Sequence, residues 1–479
     1  MSGESDRTVQ STGLVVLDPD AARKALDPRA KALRAERDEE RRVSALRWKA
    51  IEEAGGESAW IDSELLAKGL FVDQDPATLT DSERGAYKEK KKAEAEERRA
   101  LVKLARHAYA ATHVGFVGAG VYYQDDDNET TRDKDARLAR ARSNDISGID
   151  TPEALAKSLG IDAATLRWMC FHREVESSTH YNIWTIAKRD GTRRTITAPK
   201  RELKVAQRWL LKNVVERLPV HGAAHGFLRA RSIGTNAAVH AGADVIVKVD
   251  VKGFFPTVTF RRVKGLFKKG GLPENVATLC ALLATEPPRD VVEFRGRKLY
   301  VAKGPRACPQ GAPTSPAITN AICLRLDRRM SGLARALGYS YTRYADDLAF
   351  SWRKAEQALD PSGSRAPAPV GTLLRGIATI LDGEGFRVHR KKTAVRRSGS
   401  SQRITGLVVN KAGEGVPAAR VPRDTVRRLR AAIHNREKAK PGKEGESLAQ
   451  LKGMAAFVFM VDPKKGRDFL DRITALEPK

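Results

Sequence analysis

Residues Tyr339–Trp352 read YSYTRYADDLAFSW, and the fold turns on this stretch. Side chains alternate in character on either side of the adjacent pair Asp346-Asp347, as in a β-hairpin with two carboxylates at its bend. A second stretch, Ala243–Phe255 (ADVIVKVDVKGFF), sets Asp250 at the end of the nearly continuous apolar run Val245–Val249, which only Lys248 interrupts. That pattern describes a buried strand delivering one carboxylate to a sheet edge. Taken singly, each acid reads as an ordinary turn or strand-end residue. Together they are like charges that are costly to bury without a neutralising cation. Magnesium suits them, because it takes hard oxygen ligands and completes its shell with water and substrate phosphates. Three carboxylates from two strands can hold two such ions about 4 Å apart, the arrangement used in phosphoryl transfer.

Bulk composition is consistent with such an enzyme. The chain has 479 residues, 41% hydrophobic and 30% charged, which allows two to four folded units. It has no apolar run long enough to span a bilayer, and MSGESDRTVQ lacks the basic start and apolar stretch of a secretory signal, so a cytoplasmic location is expected. Cys170, Cys280, Cys308 and Cys323 are widely spaced without a ligand pattern, which argues for core thiols rather than zinc or disulfides. The net charge of +27 favours a polyanionic partner. Residues 1–150 sum to −4 and residues 151–479 to +31, which places the basic surface in the later part.

Residues 1–150 read as a helical extension with mixed charge, closing on VYYQDDDNETTRDKD. Its Asp125, Asp126 and Asp127 read as a solvated loop. From about residue 151 short strand-like runs alternate with helices. TPEALAKSLGIDAATLRWMC reads as two short helices entered through a Thr151 cap, and YNIWTIAKRDGTRRTITAP as a hairpin turning at Asp190-Gly191. QALDPSGSRAPAPVGT is a Pro/Gly/Ser-rich connector. Near the end, VPRDTVRRLRAAIHNREKAK reads as a basic helix and SLAQLKGMAAFVFMVDP as a more apolar one.

Seven blocks in this order resemble the reverse transcriptases: IAKRDGTRRTITAP, HGFLRARSIGTNAAVH, VDVKGFF, CPQGAPTSPAITN, the Y-x-D-D box Tyr344–Asp347, GFRVHRKKTAV and ITGLVVN. One block is weak; seven in order and spacing are specific. The resemblance implies an α+β right-hand polymerase with fingers, palm and helical thumb. It divides the chain into a helical extension (1–150), fingers and palm (151–409) and a basic helical thumb (410–479). It implies that Asp250, Asp346 and Asp347 are catalytic and hold two Mg2+ ions, with the Val251 carbonyl as a further ligand. Deoxynucleotides would be bound by Lys188, Arg194, Phe255, Gln310 and Lys392, Phe255 excluding a ribose 2′-hydroxyl. Lys392, or its neighbour Lys391, would contact phosphates or give a proton to the leaving group.

Within that family, Asn236-Ala237-Ala238-Val239-His240 matches the N-A-x-x-H pattern of retron enzymes, and Ile404-Thr405-Gly406 stands where they carry V-T-G. The retron resemblance implies RNA contact through Asn236, His240, Ile404, Thr405 and Gly406. It implies a cognate structured non-coding RNA, priming from a guanosine 2′-hydroxyl, and a branched RNA–DNA product. It also implies a place in antiphage defence, with an effector protein as a partner for the N-terminal extension. On the residues alone, Asn236 reads as a helix cap and His240 as a satisfied histidine on a helix face. The alternatives are a group II intron or diversity-generating reverse transcriptase, an RNA polymerase with a similar palm, and a silent RNA-binding protein.

Overall fold

A computed structural model describes residues 28–118, 120–121, 123, 129–146, 148–188, 191–356, 368–411, 413, 418–438 and 446–476. The Asp125–Asp127 loop, Asp190 and most of the Pro/Gly/Ser-rich connector lie outside the described residues. The chain divides into two compact units, one ending at Gly115 and including Asp162–Thr165, the other comprising 116–161 and 166–479. The first unit therefore stops short of residue 150. No described helix is long and apolar enough to cross a membrane.

The first unit is helical. Pro28–Glu53, Glu57–Ala67 and the 32-residue helix Asp81–Thr112 enclose Ile51, Trp60, Ile61, Leu65, Leu101, Ala105 and Ala108. The long helix starts where Thr80 and Glu83 cap one another, the Thr80 N–H donating to Glu83 Oε2 at 3.0 Å.

The second unit is built around a four-stranded antiparallel sheet. Short strand β1 (Val175–Glu176) precedes the hairpin of β2 (Tyr181–Ala187) and β3 (Arg193–Pro199). β4 (Val245–Asp250) enters the central sheet, β5 (Arg289–Phe294) and β6 (Arg297–Ala302) form a hairpin beside β1, and β7 (Tyr339–Tyr344) and β8 (Asp347–Trp352) return to the central sheet. β9 (Ala394–Arg397) completes it in the order β7-β8-β4-β9, and β10 (Arg403–Ile404) pairs with β11 (Leu407–Val408). The two expected short helices form at Pro152–Leu159 and Ala163–Cys170, with Thr151 Oγ1 accepting from the Ala154 N–H.

Strand alternation sorts the sheet residues. Val245, Val247, Val249, Leu348, Phe350, Tyr341 and Arg343 share one face, on which helix Leu324–Ala336 packs along β7. Ile246, Lys248, Asp250, Asp347 and Ala349 share the other. Its far end is sealed by Ile404, Leu407, Val409, Ala237 and Ala419 packing on Ile246 and Ala349. Its near end carries the acids. At the C-terminal end, helices Arg423–Glu437, Leu448–Phe459 and Pro463–Thr474 bury Leu429, Ile433, Leu451, Val458, Phe469 and Ile473. All four cysteines are buried and free, as expected for core thiols.

Candidate active site

The β4–β8 register sets Asp250 directly opposite Asp347. The Val251 N–H donates to the Asp346 carbonyl at 3.0 Å, so the end of β4 and the β7–β8 turn are clamped together. The structure thus brings Asp250, Val251, Asp346 and Asp347 to one place. Opposed residues on neighbouring strands have Cβ atoms about 5 Å apart, a distance at which two carboxylates repel. Burial, then the charge of Asp347 and that of Asp250, raises the Asp346 carboxyl above the usual range. Burial and Asp250 raise Asp347, against the pull of Lys248 and Lys392.

Among the described residues one cation is ion-paired to this cluster: Lys392 Nζ donates to Asp250 Oδ2 at 2.9 Å, and that bond raises the ammonium pKa. Its backbone is placed by the 3-10 turn Arg390–Lys392, whose preceding His389 N–H donates to the Asp250 carbonyl. Among the described residues no group of three or more acidic, histidine or cysteine side chains is arranged to hold a metal ion. The donor set nevertheless fits magnesium in kind. It offers hard oxygens and sets three carboxylates against the Lys392 ammonium, and magnesium keeps water and phosphate ligands of its own rather than requiring a full cage of side chains.

The turn is held from below. Ala345 has φ +54°, a left-handed backbone at the first position of a two-residue turn where glycine is usual. Arg343 Nη1 donates to the Ala345 carbonyl at 3.2 Å and to Asn320 Oδ1 at 2.9 Å, and Asn320 Nδ2 donates to the Gly226 carbonyl at 2.7 Å. A Cβ at Gly226 would lie 2.9 Å from the Ala345 nitrogen, so the close approach requires glycine. Arg343, Asp327 and Asn320 are supports that the block-by-block reading misses. The available signal is alternation, which puts Arg343 on the same face as Tyr341, toward the helices.

Phe255 is the second residue of the short helix Phe254–Thr257, half-buried and edge-on to Phe254, which itself stacks on Phe386. Gln310 is tied by its carbonyl to the Thr197 N–H at 2.7 Å, and Gly311 passes so close that a Cβ would meet the Thr197 oxygen at 3.0 Å. Lys188 and Arg194 stand exposed on the β2–β3 hairpin.

Asn236, His240 and Ile404 depart from the expectation of RNA contact, because their side chains are enclosed. Thr342 Oγ1 gives its proton to Asn236 Oδ1 at 2.6 Å, and therefore accepts from His240 Nε2 at 2.7 Å. His240 Nδ1 is then left to accept from Ser351 Oγ at 2.8 Å. Burial pushes this imidazole down to about 3, so it is neutral. Ile404 packs in the core, and only Thr405 and Gly406 reach the surface, both with positive φ (+46° and +90°) in the β10–β11 turn. Thr405 Oγ1 donates to the Ile233 carbonyl at 3.2 Å, joining this turn to the helix that carries Asn236.

Comparison with known proteins follows the same residues. The family model described as reverse transcriptase (RNA-dependent DNA polymerase) matches residues 186–411. The retron Mx162 reverse transcriptase of Myxococcus xanthus is 61% identical over 433 residues, 90% of this chain and 89% of that protein. The retron Mx65 reverse transcriptase of the same organism is 44% identical, covering 66% of this chain and 69% of its own length. The retron Ec86 reverse transcriptase of Escherichia coli is 29% identical, covering 71% and 93%.

Proposed function

This chain belongs to the retron reverse transcriptases and is an RNA-directed DNA polymerase; on that premise we propose that Asp250, Asp346 and Asp347 form its catalytic centre. The observation that carries this reading is the register pairing of Asp250 with Asp347, with Asp346 clamped to Val251 beside them. Asp250, Asp346, Asp347 and the Val251 carbonyl would hold the two magnesium ions. When bound, magnesium supplies the Lewis acidity that activates the attacking hydroxyl and neutralises the departing pyrophosphate.

The chain's own groups do the rest. Lys392 Nζ, resting on Asp250, is in reach to neutralise or protonate the leaving group. The Phe255 ring blocks the volume of a ribose 2′-hydroxyl, and Gln310, fixed to the β3 edge through Thr197, lies against the incoming nucleotide. Lys188 and Arg194 take its phosphates from the exposed hairpin. In this reading the central sheet is the palm, the β2–β3 hairpin belongs to the fingers, and the helices from Arg423 to Thr474 form a thumb. Exposed Arg423, Arg427 and Arg430 there suit a template–product backbone.

The substrate in this proposal is a structured RNA. A guanosine 2′-oxygen attacks the α-phosphorus of the first deoxynucleotide, its proton leaves, and the bond to pyrophosphate breaks, giving a branched RNA–DNA hybrid. A role in antiphage defence through an effector protein belongs to the same reading and is supported by family membership alone. The test is expression of the gene with its native flanking DNA, followed by isolation of small single-stranded DNA. We expect DNA covalently joined to RNA, lost on Asp346→Asn with Asp347→Asn. DNA free of any linked ribonucleotide would refute the priming step.

A further inference from the structure

The helix Asp81–Thr112 carries a feature that the −4 balance of residues 1–150 conceals. At 100° per residue, Lys88, Lys92, Arg99, Lys103 and Arg106 fall within an arc of about 60° and extend over about 27 Å of the helix. This arc faces away from Leu101, Ala105 and Ala108, which anchor the helix in its unit. All five side chains are exposed. Among the described residues none of the five is ion-paired, whereas Lys91 and Arg98, off the arc, are held by Glu94 and Asp62. Glu89 and Glu96 border the arc on one side only.

Unpartnered cations at i,i+4, here Lys88 with Lys92 and Arg99 with Lys103, destabilise a helix. Beside the C-terminal half of the stripe lie Ala95 and Val102, with Arg98, Arg99, Lys103 and Arg106 around them. A protein partner would call for exposed aromatic or large aliphatic anchors and few lysines at its centre. The stripe has neither aromatic nor large aliphatic side chains. It is a row of exposed cations along one helix face, suited to a duplex backbone, which presents phosphates at short regular intervals.

We propose that this face of the N-terminal helical unit binds the phosphate backbone of duplex RNA. The inference rests on the chain acting on a structured RNA. It gives the N-terminal unit a role that its summed charge argues against.

The test uses the full chain with Lys88, Lys92, Arg99, Lys103 and Arg106 all changed to Gln, and a paired RNA hairpin of about two helical turns as probe. Affinity is measured across a series of salt concentrations. The expected result is at least about a ten-fold loss of affinity, with the slope of log affinity against log salt reduced by about one for each phosphate no longer neutralised. Thermal unfolding of the variant should be no earlier than that of the parent. A second variant, with Lys88, Lys92 and Lys103 changed to Arg, should retain binding. Unchanged affinity and slope in the Gln variant would overturn the proposal and leave the stripe to an acidic protein or to solvent. Failure of the polymerase reading would show separately, as absence of DNA synthesis on a simple primed RNA template by the unsubstituted chain.

Discussion

Arg343 and Asp327 form an ion pair with neither side chain exposed: Nε reaches Oδ1 at 2.9 Å and Nη2 reaches Oδ2 at 2.8 Å. Tyr341 OH donates to the same carboxylate at 2.8 Å. The pair fixes the guanidinium, and its remaining nitrogen then holds the Ala345 carbonyl and Asn320. Removing one partner leaves a buried charge, so Arg343→Met should cost about 3–5 kcal/mol, measured by denaturant unfolding. Asn320→Ala spares the ion pair. It should lower kcat about 10-fold or more through displacement of the acids, with nucleotide KM little changed. Ala345→Gly in that background should restore part of the loss, since glycine takes φ > 0 without penalty.

His240 gives a pH prediction. Its folded value is about 3 against an ordinary 6.5, so below about pH 6.5 the unfolded chain binds a proton that the folded chain refuses. Stability from this group is complete above that pH and is lost as pH falls, at about 1.4 kcal/mol per unit. His240→Gln should be less stable than the parent at neutral pH, and the gap should narrow toward pH 4. A gap that stays constant with pH contradicts a buried neutral imidazole.

Phe255→Ala should admit ribonucleotides while leaving incorporation of deoxynucleotides within about 10-fold, as read by primer extension with each nucleotide type. Unchanged sugar selectivity would remove Phe255 from the gate.

The two candidate lysines separate by geometry. Lys392 touches Asp250. Lys392→Met should reduce kcat about 100-fold, the lower range for a positioned acid, while Lys391→Met stays near the parent. Equal losses in single-turnover assays would contradict the assignment.

Much of the frame of the candidate site was legible because strands that deliver acids have strong periodicity: β4 and the β7–β8 hairpin lie where the apolar run and the alternation put them. Side-chain direction was less legible at Asn236 and His240. A motif spacing does not say whether a polar residue looks out to RNA or inward to Thr342 and Ser351. Arg343 was hidden for a related reason, since a charged residue in a strand reads as solvent-facing until its partner Asp327, sixteen residues earlier, is seen on the packed helix. The stripe from Lys88 to Arg106 was hidden by summation, because acids elsewhere in residues 1–150 outweigh the positive charge of this helix in the total for that segment.

The central claim, that Asp250, Asp346 and Asp347 carry the chemistry, is tested most directly by primer extension on an RNA template with purified chain. Asp250→Asn, Asp346→Asn and Asp347→Asn should each remove DNA synthesis to below about one part in a thousand while thermal unfolding stays cooperative. Folded variants that still extend the primer at a rate near the parent's would contradict it.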